Sequence, residues 1–183
     1  MKDIWLALWF FVPAGLANVM PVFANKIPLL KDWNTPLDFG LSWRDKRLLG
    51  ENKRWRGIIS GVVLAVIVIG LQRLWFEHSA WIQSISYVNY RDNLIWLLGA
   101  LLGMGALLGD AVESFFKRRA SVPPGKSWFP FDQLDYIIGG LLLAAIVVRL
   151  TFFEYLWILI VWFAMHLLVN YIGFLLHLKD HPI

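Results

Sequence analysis

Two stretches of this sequence gather the side chains that metal and phosphate chemistry requires. The first reads Gly109-Asp110-Ala111-Val112-Glu113-Ser114-Phe115-Phe116-Lys117-Arg118-Arg119 and is followed by Pro130-Phe131-Asp132-Gln133-Leu134-Asp135. On a helix, Asp110, Glu113, Ser114 and Lys117 fall at i, i+3, i+4 and i+7 and share a face. Asp132 and Asp135 also share a face at the start of the next apolar run, beside the partial positive end of a helix. Carboxylate oxygens are hard ligands, and Mg²⁺ takes one or two of them together with phosphate oxygens and water. The second stretch is Pro36-Leu37-Asp38-Phe39-Gly40, then Gly50-Glu51-Asn52-Lys53-Arg54-Trp55-Arg56-Gly57, where glycines bracket a cluster of cations. Backbone amides at a helix N-terminus bind anions, although the spacing of a Walker A loop is absent. Acids for a divalent cation beside bases for a polyphosphate point to phosphoryl or nucleotidyl transfer.

Each pattern has a plainer explanation. Lys117, Arg118 and Arg119 also serve as topology determinants. Asp132 and Asp135 also serve as helix N-terminal anions without a metal, and Lys53, Arg54 and Arg56 as a solvated basic loop. Asp110 is harder to set aside. It closes an apolar helix, and a carboxylate at the bilayer centre costs about 2.5–3.5 kcal/mol on insertion scales. Ionisable residues in such segments are functional suspects by default.

Composition says what must position these groups. Of 183 residues, 58% are hydrophobic and 16% charged, where a soluble domain has roughly 45–50% and 25%. With a mean hydropathy of +0.59, the chain carries more apolar surface than a globule of this size can bury. Disorder is excluded by the low charge and the abundant aromatics. Zero cysteines remove disulfide frameworks, thiolate zinc sites and Cys nucleophiles. This composition identifies an integral membrane protein.

The predicted fold is all-α and polytopic, a single membrane domain over 1–183. Five transmembrane helices are expected at about 4–24, 57–75, 94–109, 136–153 and 155–177, each near the length needed to cross the hydrocarbon. A signal peptide fits the first run less well, because Pro13, Asn18 and Pro21 lie inside it. The third carries Gly99, Gly103, Gly105 and Gly109, two small-xxx-small pairs that allow close helix approach. Thr151–Glu154 is read as the turn of a hairpin between the last two, with Arg149 and Glu154 as interface anchors. The polar segments at about 25–56 and 110–135 fall on one side in this topology. The first holds Lys26, Lys31, Arg44, Lys46, Arg47, Lys53, Arg54 and Arg56, and the second holds Lys117, Arg118, Arg119 and Lys126. The positive-inside rule makes that side cytoplasmic, with the N-terminus out and the C-terminus, with Lys179, in. Trp75, Phe76, Trp81, Tyr87 and Tyr90 in the outer connection read as an interfacial aromatic belt.

Taken in order, the motifs resemble the CDP-archaeol synthase family, relatives of the CDP-diacylglycerol synthases. The resemblance rests on Pro13-Ala14 through Ala17-Asn18 to Pro21, then Pro36-Leu37-Asp38-Phe39-Gly40, Leu49-Gly50 leading to Lys53, and Trp55-Arg56-Gly57. It continues through Gly109-Asp110, Glu113-Ser114, Lys117-Arg118, Pro124-Gly125 and Asp132-Gln133-Leu134-Asp135, and so spans almost the whole chain. It implies a Mg²⁺-dependent membrane enzyme in which a lipid phosphate attacks the α-phosphorus of CTP, giving a CDP-lipid and pyrophosphate. By similarity, Asp110 and Asp132 are metal ligands and Asp135 joins them as catalytic. Lys53, Arg54, Arg56, Lys117 and Arg118 hold nucleotide or pyrophosphate charge, and Asn18, Asp38, Glu113 and Ser114 are candidates for the lipid site. The chain departs from the diacylglycerol-type pattern in lacking a His-Gly-Gly stretch and in placing Gln133 in the final motif. Arg54 stands where the family usually has Thr.

The expected partners are CTP, a lipid phosphate and the bilayer, with a homodimer left open and no nucleic acid. The expected location is the cell inner membrane, active site facing the cytoplasm. A CTP-dependent polyprenol kinase and a non-enzymatic transporter or scaffold are the alternatives; for a transporter, polar groups should line a midplane path. His166 and Asn170, four apart, read as an interhelical hydrogen-bonding pair, a proton relay or a lipid-headgroup contact. His177 and His181 lack identifiable metal partners.

Overall fold

A computed structural model describes residues 1–123 and 126–177. Pro124-Gly125, Lys179 and His181 lie outside the described residues. The elements are α1 (Lys2–Ala24), β1 (Ser42–Trp43), β2 (Lys46–Arg47), α2 (Trp55–His78), α3 (Ala80–Ser84), α4 (Ile95–Arg119), α5 (Phe131–Ala144) and α6 (Phe152–Leu175). The chain is an integral membrane protein, and α1, α2, α4 and α6 are each long and apolar enough to cross a bilayer. Helix α1 runs through Pro13 and Pro21, as membrane helices do when their neighbours satisfy the freed backbone groups. Helix α4 continues beyond its apolar run as one helix. It ends on Lys117, Arg118 and Arg119, whose charge suits the negative end of the helix dipole.

Three expectations need correction. The predicted fourth span, 136–153, is instead the 14-residue α5, about 21 Å long at 1.5 Å per residue and shorter than the roughly 30 Å of hydrocarbon. It begins five residues earlier than expected and stops at Ala144, before the β-branched run Ile146-Val147-Val148. Thr151–Glu154 is no hairpin turn: Thr151 caps α6, and Glu154 closes a capping box on it. An extended Thr151 (φ −73°, ψ 161°) cannot continue a helix from α5. The second correction is to the all-α class, because β1 and β2 form an antiparallel hairpin. Its turn residues Arg44 and Asp45 have φ of 52° and 58°, the pair of left-handed conformations a type I′ turn demands. The third is to the aromatic belt. Trp75 and Trp81 are exposed, but Phe76 and Tyr90 are buried, because the α2–α4 connection folds back over the bundle and sets Tyr90 against Phe76 and Trp9.

The two glycine pairs of α4 face different helices. Gly99 and Gly103 lie against α2, where a Cβ on Gly103 would stand 2.7 Å from the Ala65 Cβ. Gly105 and Gly109 lie against the backbone of α5, at Gly139 and the Asp135 carbonyl. The α4–α5 contact is therefore main chain on main chain, a separation only glycine permits. One core joins Phe10 and Phe11 of α1, Ile69 of α2, Leu98 and Leu102 of α4, Tyr136 and Ile137 of α5 and Ile158 of α6. Where α4 meets α5, the close approach fixes which side chains of the two helices stand side by side.

Candidate active site

At the end of the bundle that carries the cations lies a cavity of about 1400 Å³, walled by all five long helices and by the 46–57 segment. Because Gly109 abuts the Asp135 backbone, the Asp135 side chain emerges beside Asp110 and Glu113, one turn apart on α4. Carboxylate oxygens of Asp110, Glu113 and Asp135 all lie within 4.8 Å of one another. Three hard carboxylate donors this close repel one another unless a proton or a cation neutralises them, and they form a set that a divalent metal can use.

Two lysines counter this charge. Lys53 reaches from the loop before α2 to Asp110, Nζ to Oδ2 2.5 Å. Lys117 bridges α4 and α5, with Nζ 2.6 Å from Asp132 Oδ1 and 3.5 Å from Glu113 Oε1. Asp132 is held further by the Trp128 amide, 2.9 Å from its Oδ2. The structure thus seats Asp135 beside Asp110, where the resemblance implied Asp132 as the second metal ligand, and brings Glu113, read above as a lipid-site candidate, to the third corner. Asp132 stands behind it, between Lys117 and the start of α5. Arg118 also lines the cavity, and its buried Nε has no hydrogen-bond partner among the described residues. It faces Gly50, whose φ of +88° turns the loop close to the Arg118 side chain. Ser114, buried, lines the same wall.

Other predicted residues have local partners. The Asp38 carboxylate does not line the cavity; it accepts from the Gly40 and Leu49 amides and pairs with Arg47 at 2.7 Å. Burial works to raise its pKa, but the Arg47 and backbone hydrogen bonds prevail and hold it below the ordinary carboxylate value. Asp38 is a staple of the β1–β2 loop. Arg119 completes that staple, donating to the Arg47 carbonyl at 2.9 Å and lying over Phe115 at 4.2 Å. Arg56 borders the cavity, yet its guanidinium donates to Lys31 O at 2.6 Å, to Asn34 and to Asn25. That arrangement ties the 25–34 segment to α2. Arg54 likewise bonds Asn34.

Sequence reasoning gave no role to Gln133, which is buried in the wall between the two aspartates of its motif. His166 and Asn170 line the cavity with Asn18, the lipid-site candidate of α1. The i, i+4 spacing of His166 and Asn170 was the available signal, although nothing in it indicated which helices their side chains would face. A second hollow, about 660 Å³ and almost entirely apolar, runs between α4 and α5 past Gly105, Val112, Phe131 and Leu142. Glu113 and Asp135 line both spaces.

A family model described as CarS-like, CDP-archaeol synthase, matches residues 1–183. Curated CDP-archaeol synthases resemble the whole chain. That of Pyrococcus abyssi is 32% identical over 185 residues, covering 100% of this chain and 99% of its own. That of Pyrococcus furiosus is 34% identical over 184 residues, with the same coverage, and that of Methanosphaerula palustris is 37% identical over 168 residues, covering 86% and 95%. A solved structure of an intramembrane enzyme for archaeal membrane lipid biosynthesis superposes with a TM-score of 0.70 at 26% identity, covering 90% of this chain and 92% of that one.

Proposed function

We propose that this chain, which belongs to the CDP-archaeol synthase family, is a Mg²⁺-dependent cytidylyltransferase that joins CTP to a membrane lipid phosphate with release of pyrophosphate. The observation that carries this reading is the sharing of Glu113 and Asp135 between a polar, cation-lined cavity and an apolar groove. A triphosphate seated in the first and a lipid lying in the second would meet at the same carboxylates.

Asp110, Glu113 and Asp135 are the residues that would hold Mg²⁺, and they offer only oxygen donors at mutual distances suited to one ion. When bound, Mg²⁺ supplies Lewis-acid polarisation of phosphoryl oxygens and charge for the leaving pyrophosphate. The chain's own part is positioning and electrostatics, which dominate displacement at phosphorus. Lys53 and Lys117 already stand at the acids and need only turn towards phosphate oxygens, while Arg118 presents from the same wall an Nε donor with no partner among the described residues. The apolar groove aligns the lipid so that its phosphate oxygen approaches the α-phosphorus opposite the departing pyrophosphate. A lipid phosphate is already an anion near neutral pH, so no side chain need act as general base. The Lys and Arg of both polar segments support a cytoplasmic position for this end, on the side where CTP is available.

The test is incubation of the purified protein with CTP labelled in the α-phosphate, Mg²⁺ and a panel of ether- and ester-linked lipid phosphates, with a polyprenol as a further acceptor. Label is expected in the lipid product, with one pyrophosphate released per CDP-lipid. Formation of CDP and a phosphorylated polyprenol would move the assignment to a kinase, and no product with any acceptor would end the enzymatic reading. Lys53 allows a second check. It neutralises Asp110 without metal but serves phosphate in the complex, so Lys53→Met has opposite effects on the two ligands. Isothermal titration is expected to show Mn²⁺ affinity without nucleotide unchanged or increased and CTP affinity roughly tenfold weaker, the scale of one charge-assisted hydrogen bond. Parallel loss of both would make Lys53 a structural residue.

A further inference from the structure

The cavity has two unlike sides. Lys53, Lys117, Arg118, Asp110 and Glu113 occupy the side built by α4 and the approach to α2, and Asp132 and Asp135 meet them from the adjoining face of α5. Helices α1 and α6 and the inward face of α5 offer the amides of Asn18, Gln133 and Asn170 together with His166. These three helices come together around Tyr136: its ring lies against Phe11 at 6.1 Å and His166 at 5.5 Å, and its hydroxyl donates to the Trp162 carbonyl at 3.1 Å. Gln133 lies one turn before Tyr136 on the same inward face. It is only 1% exposed, and its Oε1 is buried with no hydrogen-bond partner among the described residues. A buried amide oxygen without a donor weakens the fold, and in the cavity wall it is open to a donor from a bound molecule.

On the basis of the nucleotidyl-transfer reading above, we infer that Gln133 is a specificity-determining residue that reads the nucleobase of the nucleotide. Phosphates, carrying full charge, belong with the cations of the opposite side. A cytosine ring is neutral and presents an amine donor next to a ring-nitrogen acceptor. A carboxamide is the complementary group, accepting from the amine through Oε1 and donating through Nε2. A site built to hydrogen-bond a particular group discriminates strongly against ligands that lack it, because its own polar atoms are then left unpaired. Gln133 lies between Asp132 and Asp135 in sequence and, at about 3.6 residues per turn, projects from a different face of α5 than those two acids, so one turn of α5 presents acids to one side and an amide to another. That turn would set the distance between base and reacting phosphorus.

The test compares CTP with inorganic tripolyphosphate, which keeps the charges and lacks the base, as ligands of the full-length purified protein. In Gln133→Leu, CTP affinity is expected to fall about tenfold while tripolyphosphate and Mn²⁺ bind as in the unsubstituted protein. Thermal unfolding should be unchanged or shifted upward, since an unpaired acceptor has been removed. Gln133→Met, closer in shape, is judged by the same ratio of CTP to tripolyphosphate affinity should the leucine variant fold poorly. Wild-type CTP affinity in the folded variant overturns the inference. So does an equal loss of CTP and tripolyphosphate, which would assign Gln133 to the phosphates or the metal. Failure of the unsubstituted protein to bind CTP at all would instead strike the nucleotidyl-transfer reading itself, and this inference with it.

Discussion

Asp135→Asn is expected to lower CTP-dependent product formation by roughly 10²–10³-fold, the scale seen when one preorganised charge-stabilising group is removed from an active site. The protein should remain folded. The asparagine keeps an oxygen that can accept from the Tyr136 amide, which the aspartate Oδ1 does at 2.5 Å. It also relieves the mutual repulsion of three carboxylates within 4.8 Å, so the metal-free variant should melt no lower than the unsubstituted chain. Asp110→Asn should lose activity to a similar extent. Asp132→Asn separates the two ways of building the site. If the metal belongs to Asp110, Glu113 and Asp135, Mn²⁺ affinity survives in Asp132→Asn and turnover falls only about tenfold, because Lys117 loses its closest partner. If Asp132 is itself a ligand, as the resemblance implies, metal affinity collapses there too. Full Mn²⁺ affinity in Asp135→Asn would remove the carboxylate trio from consideration.

That contrast marks how far the sequence could be read. The face shared by Asp110, Glu113, Ser114 and Lys117 follows from helical periodicity alone, and α4 does continue far enough to present it. The pairing of acids across helices is different in kind. Asp132 and Asp135 both head α5, and which of them meets Asp110 depends on how α5 is rotated against α4. A backbone contact at Gly109 and Gly139 sets that rotation, and no local pattern encodes it. The cations mislead for a related reason. Arg56 and Lys53 look equivalent in sequence, yet Arg56 finds carbonyls and asparagines of the 25–34 segment while Lys53 finds Asp110. Asp38 resembles a site acid until the loop closes and supplies two amides and Arg47. Hydrophobic length misjudged the fourth span for want of one local signal, the Thr151–Glu154 capping box, which is visible in sequence as Thr-x-x-Glu.

The rotation of α5 can itself be tested, and Gly109 is the place to do it. A Cβ at Gly109 would stand 2.9 Å from the Asp135 carbonyl carbon and 3.2 Å from the Gly139 Cα. Both are backbone atoms, which cannot turn aside as a side chain does. Gly109→Ala therefore forces α4 and α5 apart and carries Asp135 away from Asp110 and Glu113. Overpacking of this kind costs about 1–3 kcal/mol of stability, and a displacement near 1 Å costs about 10²-fold in rate. Gly99→Ala is the control on the α2-facing side of the same helix. There the nearest obstacles are the Ile69 Cγ2 at 2.7 Å and Cβ at 3.2 Å, so the strain falls on the α2–α4 packing and the α4–α5 contact is untouched. The expected result is that Gly109→Ala loses about 10² in turnover together with Mn²⁺ affinity, whereas Gly99→Ala keeps both within a few-fold even if its melting temperature also falls. Equal activity in the two variants would mean that the carboxylates do not depend on the close approach of α4 and α5, and the site would have to be assembled in another way.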